Sequence, residues 1–123
     1  MILTNNLTVN ESGNKILVEG DQLDVLKKAR DFIHKGHYLI TSPLAASGRM
    51  HFSPVRSILI SDKPEGDNTQ SLLAIENSIE LLQNSLAMHT VDYKNKEDYE
   101  FIDYELLKVA LHEVNELENR FNK

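Results

Sequence analysis

Between two apolar runs lies the segment Thr41-Ser42-Pro43-Leu44-Ala45-Ala46-Ser47-Gly48-Arg49-Met50-His51-Phe52-Ser53-Pro54-Val55-Arg56. It combines hydroxyls at Ser42 and Ser47, a backbone open to ligand approach at Gly48, guanidinium groups at Arg49 and Arg56, and an imidazole at His51. Fixed N–H and O–H donors joined to positive charge are the parts of an anion site. His37, just ahead of the first apolar run, and Asn77, in a later helical stretch, are candidates to join it. A connection of this length is uncommon in a small protein and is more often functional than a short turn. The same residues equally suit a solvated surface connector, because charged runs usually serve solubility.

Charge is unevenly spread along the chain. Thirteen Lys and Arg against nineteen Asp and Glu leave −6 overall. Residues 27–57 nevertheless hold Lys27, Lys28, Arg30, Lys35, Arg49 and Arg56 against Asp31 alone, a balance of +5 that leaves −11 elsewhere. Much of that lies over residues 97–118, where Glu97, Asp98, Glu100, Asp103, Glu105, Glu113, Glu116 and Glu118 face only Lys108 and read as a solvated helix surface. An acidic chain has no generic attraction for nucleic acid or an anionic membrane. Three partners suit the asymmetry: a small anionic ligand, an acidic protein surface, or a second copy whose acidic face meets the basic one in a homodimer.

Other chemistries find less support. Without cysteine the chain itself supplies no disulfide, thiolate nucleophile, zinc ribbon or iron–sulfur ligand. His34 and His37 bracket Lys35-Gly36, and adding His51 makes three imidazoles. Nothing in that spacing builds a metal site, so no metal is expected. His89 and His112 have no ligand pattern around them. There is no P-loop, no G-x-G-x-x-G and no G-x-S-x-G elbow, and no cofactor is expected. The enzyme alternative uses His37 or His51 as acid/base, with Arg49 and Arg56 holding an anionic substrate. No run approaches the roughly 18 apolar residues of a membrane span. The opening residues lack a signal-peptide pattern, which points to the cytoplasm.

These residues need a frame, and 123 residues suffice for one α/β domain over 1–123. Ile2-Leu3-Thr4 reads as a strand closed by Asn5-Asn6, and Lys15-Ile16-Leu17-Val18-Glu19 as a second, closed by Gly20. Asp21 caps a helix carrying Leu23, Leu26, Ala29 and Ile33, which Gly36 ends. Tyr38-Leu39-Ile40 and Ser57-Ile58-Leu59-Ile60 are unbroken apolar runs, the pattern of strands buried on both faces. From Gln70, Leu72, Ile75, Ile79, Leu82 and Leu86 form one helical stripe, with Asn77 off it. After a polar break over 89–96, a last helix from Asp98 presents Ile102, Leu106, Ala110, Val114, Leu117 and Phe121, widened by Leu107 and Leu111. The expected architecture is a four-stranded, mainly parallel sheet packed by helices, the two longer ones in the C-terminal half.

Several strings together resemble one family. They are Arg30-Asp31-Phe32-Ile33-His34-Lys35-Gly36-His37 with Leu39-Ile40-Thr41 and Pro43-Leu44, the opening Thr4-Asn5-Asn6, the Ser53-Pro54 and Arg56-Ser57 pairs, and Ile75-Glu76-Asn77-Ser78-Ile79. This combination is similar to the GrdX family, small proteins associated with the glycine reductase system of amino-acid-fermenting anaerobes. The family's loop after Pro-Leu is usually more basic, with Pro and Asn. Here it reads Ser47-Gly48-Arg49-Met50-His51-Phe52, and Ser42 stands where a His is more usual. The resemblance implies a bacterial, cytoplasmic setting. It also implies an accessory or binding role, because thiol and selenol chemistry is closed to a chain without cysteine.

Overall fold

In the computed structural model, residues 1–45 and 47–121 are described; Ala46 of the candidate loop and the side chain of Phe121 lie outside this set. Three short strands form one sheet: β1 (Ile2–Thr4), β2 (Lys15–Leu17) and β3 (Ser57–Leu59), in the order β2-β1-β3. β1 pairs parallel with β2, and antiparallel with β3 through Leu3 opposite Ile58. The expected four-stranded, mainly parallel sheet is therefore corrected. Residues 38–40 contribute only one antiparallel bridge, Leu39 opposite Ile60. The reason is the connection that follows: a parallel return needs a long, usually helical crossover, and among the described residues of 41–56 there is only a single 3-10 turn at Gly48–Phe52. The chain therefore doubles back beside β3, and Tyr38 and Ile40 stay exposed instead of being buried on both faces.

Helix α1 (Gln22–His34) starts in a capping box, with the Asp21 carboxylate accepting from Leu23 and Asp24 backbone N–H groups and Asp24 bonding back to the Asp21 N–H. It stops at Gly36, whose φ of +106° most side chains resist. Helices α2 (Thr69–Met88) and α3 (Lys96–Phe121) follow. α1 and α2 cover one face of the sheet, burying Leu26, Ile33, Ile58, Ile60, Ile75, Ile79 and Leu82 together with Leu3. α3 alone covers the other face, on Ile2, Val9 and Leu59. The layers are thus two helices, a sheet and one helix.

The rotation of α3 departs from the expected stripe. Leu107 is its buried apolar residue, with Ala110, Leu111 and Val114 partly covered. Ile102, Leu106 and Leu117 are 42%, 46% and 52% exposed. A buried carboxylate sets this angle. Asp103, 1% exposed, points at the sheet and accepts from the Ser57 N–H (2.8 Å), the Ser57 hydroxyl (2.6 Å) and Asn6 Nδ2 (3.0 Å). Residues 103, 107, 110 and 114 follow helical spacing, so one buried Asp turns the neighbouring apolar face outward. Among the described residues no helix is long and apolar enough to cross a membrane.

Candidate functional site

The loop over 41–56 is held from within by polar side chains. Arg56 is buried, and its Nε and Nη2 donate to the carbonyls of Pro43 (3.0 Å) and Ser42 (2.7 Å). Burial lowers the pKa of this guanidinium, and the nearby Asp103 carboxylate opposes the shift. Gln22, buried in the first turn of α1, donates through Nε2 to the carbonyls of Met50 (2.9 Å) and Ser53 (3.1 Å). The Ser53 hydroxyl closes a local turn on the Val55 carbonyl (2.7 Å). Asn5 ties the end of the loop to β1: its Oδ1 accepts from the Arg56 N–H, and its Nδ2 donates to Pro54 and Gly20 carbonyls. A loop without regular structure meets its backbone hydrogen-bonding demand with these side chains.

The expected site residues consequently divide. Ser47, Gly48 and Arg49 are exposed on the outer side of the 3-10 turn. Gly48 has open space around it and a negative φ, so a close backbone approach is not what its position requires. Ser42 is exposed, but its hydroxyl is spent on the Leu44 carbonyl (2.8 Å). Arg56 faces inward, away from Arg49's exposed position. His51 is half-buried against Ser85 of α2, Nδ1 to Oγ 3.2 Å. His37 lies elsewhere, its Nδ1 2.8 Å from the Ser61 carbonyl and its ring edge-on to Phe32. Asn68 at the N-terminus of α2 donates to the His37 carbonyl, whereas His51 meets the far end of that helix. Seventeen residues of helix separate the two, roughly 25 Å, so the imidazoles do not work on one substrate. Asn77 is exposed on α2 and makes no side-chain hydrogen bond among the described residues. Among the described residues no three His, Asp or Glu side chains gather in a metal-holding arrangement.

Beside the exposed turn lies a cavity of about 740 Å³ that separates it from the start of α3. Met50, Phe52, Tyr99 and Ile102 supply apolar surface, and Arg49, Asp92 and Asp98 line the same cavity. The Asp92 N–H donates to the Phe52 carbonyl (2.8 Å), which fixes the two banks together. Hydrogen bonds from Asn95, and more weakly from Tyr99, hold the Asp92 carboxyl below the usual carboxylate range. Burial and Asp92 raise the Tyr99 phenol, and the Arg49 charge opposes that rise. The site offers one cation and two carboxylates over an apolar floor.

Two residues central to this arrangement were not among the candidates. Gln22 is an ordinary early-helix residue by sequence. Asp103 sits inside an acidic run, and only its spacing of four from Leu107 marks it as inward-facing.

A small α/β protein with one stapled loop, bound by a buried Thr-Asn-Ser-Asp cluster, is the class that this fold and site define. In that cluster Thr4 and Ser57 hydroxyls meet at 2.7 Å, and Asn6 bridges to Asp103 and the Glu100 carbonyl. Thr4, Asn5, Asn6, Ser53, Arg56 and Ser57, which carried the family resemblance, all belong to the cluster or the staple. The chain belongs to the GrdX-like protein family, whose model matches residues 1–112. No curated protein and no solved structure gives a significant match.

Proposed function

We propose that the chain is an accessory binding protein of a glycine reductase-type system, acting in the cytoplasm, and that the outer face of the 41–56 loop is its contact surface. One observation carries this reading: Arg56 and Gln22 tie the loop down from inside while Ser47 and Arg49 stand exposed beside a cavity of about 740 Å³. A pre-organised loop loses little entropy on binding. Arg49 takes an anionic group. Asp92 and Asp98, which line the same cavity, repel a free anion and favour a carboxylate presented with a base beside it, as on a protein surface. Without cysteine the chain has no thiol of its own for the redox chemistry of such a system.

A thermal-shift screen tests this, because a ligand that binds only the folded state raises Tm. Phosphates, nucleotides, small carboxylates and a helical peptide with Glu and Arg four residues apart are compared on wild type and Arg49→Ala. The reading expects the peptide to stabilise wild type and to lose most of that effect in Arg49→Ala. Stabilisation by free phosphate alone would replace it with a small-anion site. No stabilisation by any probe would leave the loop a connector.

A further inference from the structure

We propose that Asp103 is the positioning residue of the Arg49 cavity: one buried carboxylate holds both banks in register, so that filling of the cavity and docking of α3 are coupled. This rests on the reading of Arg49 as the recognition group and adds how that site is set. Little else holds the start of α3. Among the described residues of α3 the buried side chains are Asp103 and Leu107, both beyond the stretch that walls the cavity. Asp98, Tyr99 and Ile102 line the cavity from α3, and Ile102 is 42% exposed. Apart from Asn6 Nδ2 on the Glu100 carbonyl, no described hydrogen bond joins residues 93–102 to the sheet or the loop. That wall is therefore strung between two ties, Asp92 on the Phe52 carbonyl at one end and Asp103 on Ser57 at the other. One tie alone is a pivot, and two fix the direction of the helix.

Asp103 reaches the loop as well as the sheet. Its oxygens accept from the N–H and hydroxyl of Ser57 and from Asn6 Nδ2. Ser57 directly follows Arg56, whose guanidinium staples the loop through the Pro43 and Ser42 carbonyls. The Asp103 charge also offsets the burial of that guanidinium. On the other bank, Tyr99 stands four residues before Asp103, one turn along the same helix face, so a shift of α3 at Asp103 carries Tyr99 with it. A fully satisfied buried polar network rigidifies what it joins. A partner that touches Arg49 and Asp98 together fits the docked arrangement best, and by linkage stabilises it.

The chain has no cysteine, so two introduced ones report the banks directly. Spin labels at Gly48→Cys, where open space surrounds the position, and at Glu97→Cys, exposed on the first turn of α3, give the distance from loop to helix. In the ligand-free chain a single narrow distribution is expected. It broadens at least ~2-fold in Asp103→Ala and is unchanged in Ile79→Ala, which weakens the core on the opposite face of the sheet. Asp103→Asn keeps one acceptor oxygen for Ser57 but loses the charge; it broadens the distribution less, and carries the test if Asp103→Ala does not fold. Affinity for the helical peptide is then measured on unlabelled chains at a temperature where all are folded. Asp103→Asn is expected to weaken binding about 10-fold with Arg49 intact, and Ile79→Ala to leave it within about 2-fold of wild type. Unchanged distributions in the Asp103 variants, unchanged affinity in Asp103→Asn, or an equal loss of affinity in Ile79→Ala overturns the proposal. If the distributions stay narrow while the peptide binds in an Arg49-dependent way, the positioning role falls and the contact-surface reading stands. If they broaden but the peptide binds none of the chains, the contact-surface reading falls and Asp103 still sets the two banks.

Discussion

Two arginines that look alike in the loop have opposite roles. Arg56 is buried with two of its donors on backbone carbonyls, whereas Arg49 is exposed beside the cavity. Arg56→Ala should lower stability by about 1.5–3 kcal/mol, the scale of charge-assisted hydrogen bonds, and leave two carbonyls unpaired. Arg49→Ala should change it by less than about 0.5 kcal/mol, as ordinary surface substitutions do. Urea denaturation of the two variants checks the contrast, and equal midpoints would contradict the staple. The sequence shows both as cations in a polar loop; the burial of Arg56 follows from its place directly before a buried strand. Asp103 presents the same difficulty in an acidic run. Asp103→Ala should cost at least about 2 kcal/mol, because Ser57 and Asn6 lose a common acceptor. Amide exchange should then accelerate along α3 well before it does along α1.

At the level of elements, periodicity made the helices legible. The 3- and 4-residue spacing from Leu72 to Leu86 places Ile75, Ile79 and Leu82 in the core, where they are buried. Ile79→Ala should cost about 2–5 kcal/mol by leaving a cavity, and a change under about 0.5 kcal/mol would contradict that packing. The cap at Asp21 and the stop at Gly36 were equally readable, since each needs a particular residue type. Strand direction was not. An apolar triplet such as 38–40 carries no information on whether its partner runs parallel, and loop 41–56 decides that by lacking a crossover helix among its described residues. The start of α3 has a pH signature of its own. Asn95 and Tyr99 stabilise ionised Asp92, so its folded pKa lies below the unfolded value near ~3.9. The contribution is therefore complete above that unfolded value and is lost as pH falls through the folded one. Carboxyl carbon NMR should show Asp92 titrating below its unfolded value, and Asn95→Ala should move it back up.

For the whole molecule, the charge asymmetry resolves into two separate basic surfaces on an acidic protein. One is the loop tip with Arg49. The other is the outer side of α1, where Lys28 and Lys35 lie over the Phe32 ring at 5.9 and 5.6 Å. A count over 27–57 adds them together, although the fold sets the basic α1 face apart from the loop. The basic α1 surface borders a cavity of about 370 Å³ lined by Lys28, Arg30, Phe32 and Lys35, and recognition is assigned to the loop because its cavity of about 740 Å³ adds the apolar surface of Met50, Phe52, Tyr99 and Ile102. Amide NMR of the labelled chain, titrated with the helical peptide bearing Glu and Arg four residues apart, separates the two surfaces in one experiment. The account predicts shifts at Ser47, Arg49, Phe52 and Tyr99 that saturate in wild type and are lost in Arg49→Ala. Shifts centred on Lys28 and Lys35, or an equal affinity for wild type and Arg49→Ala, would contradict it.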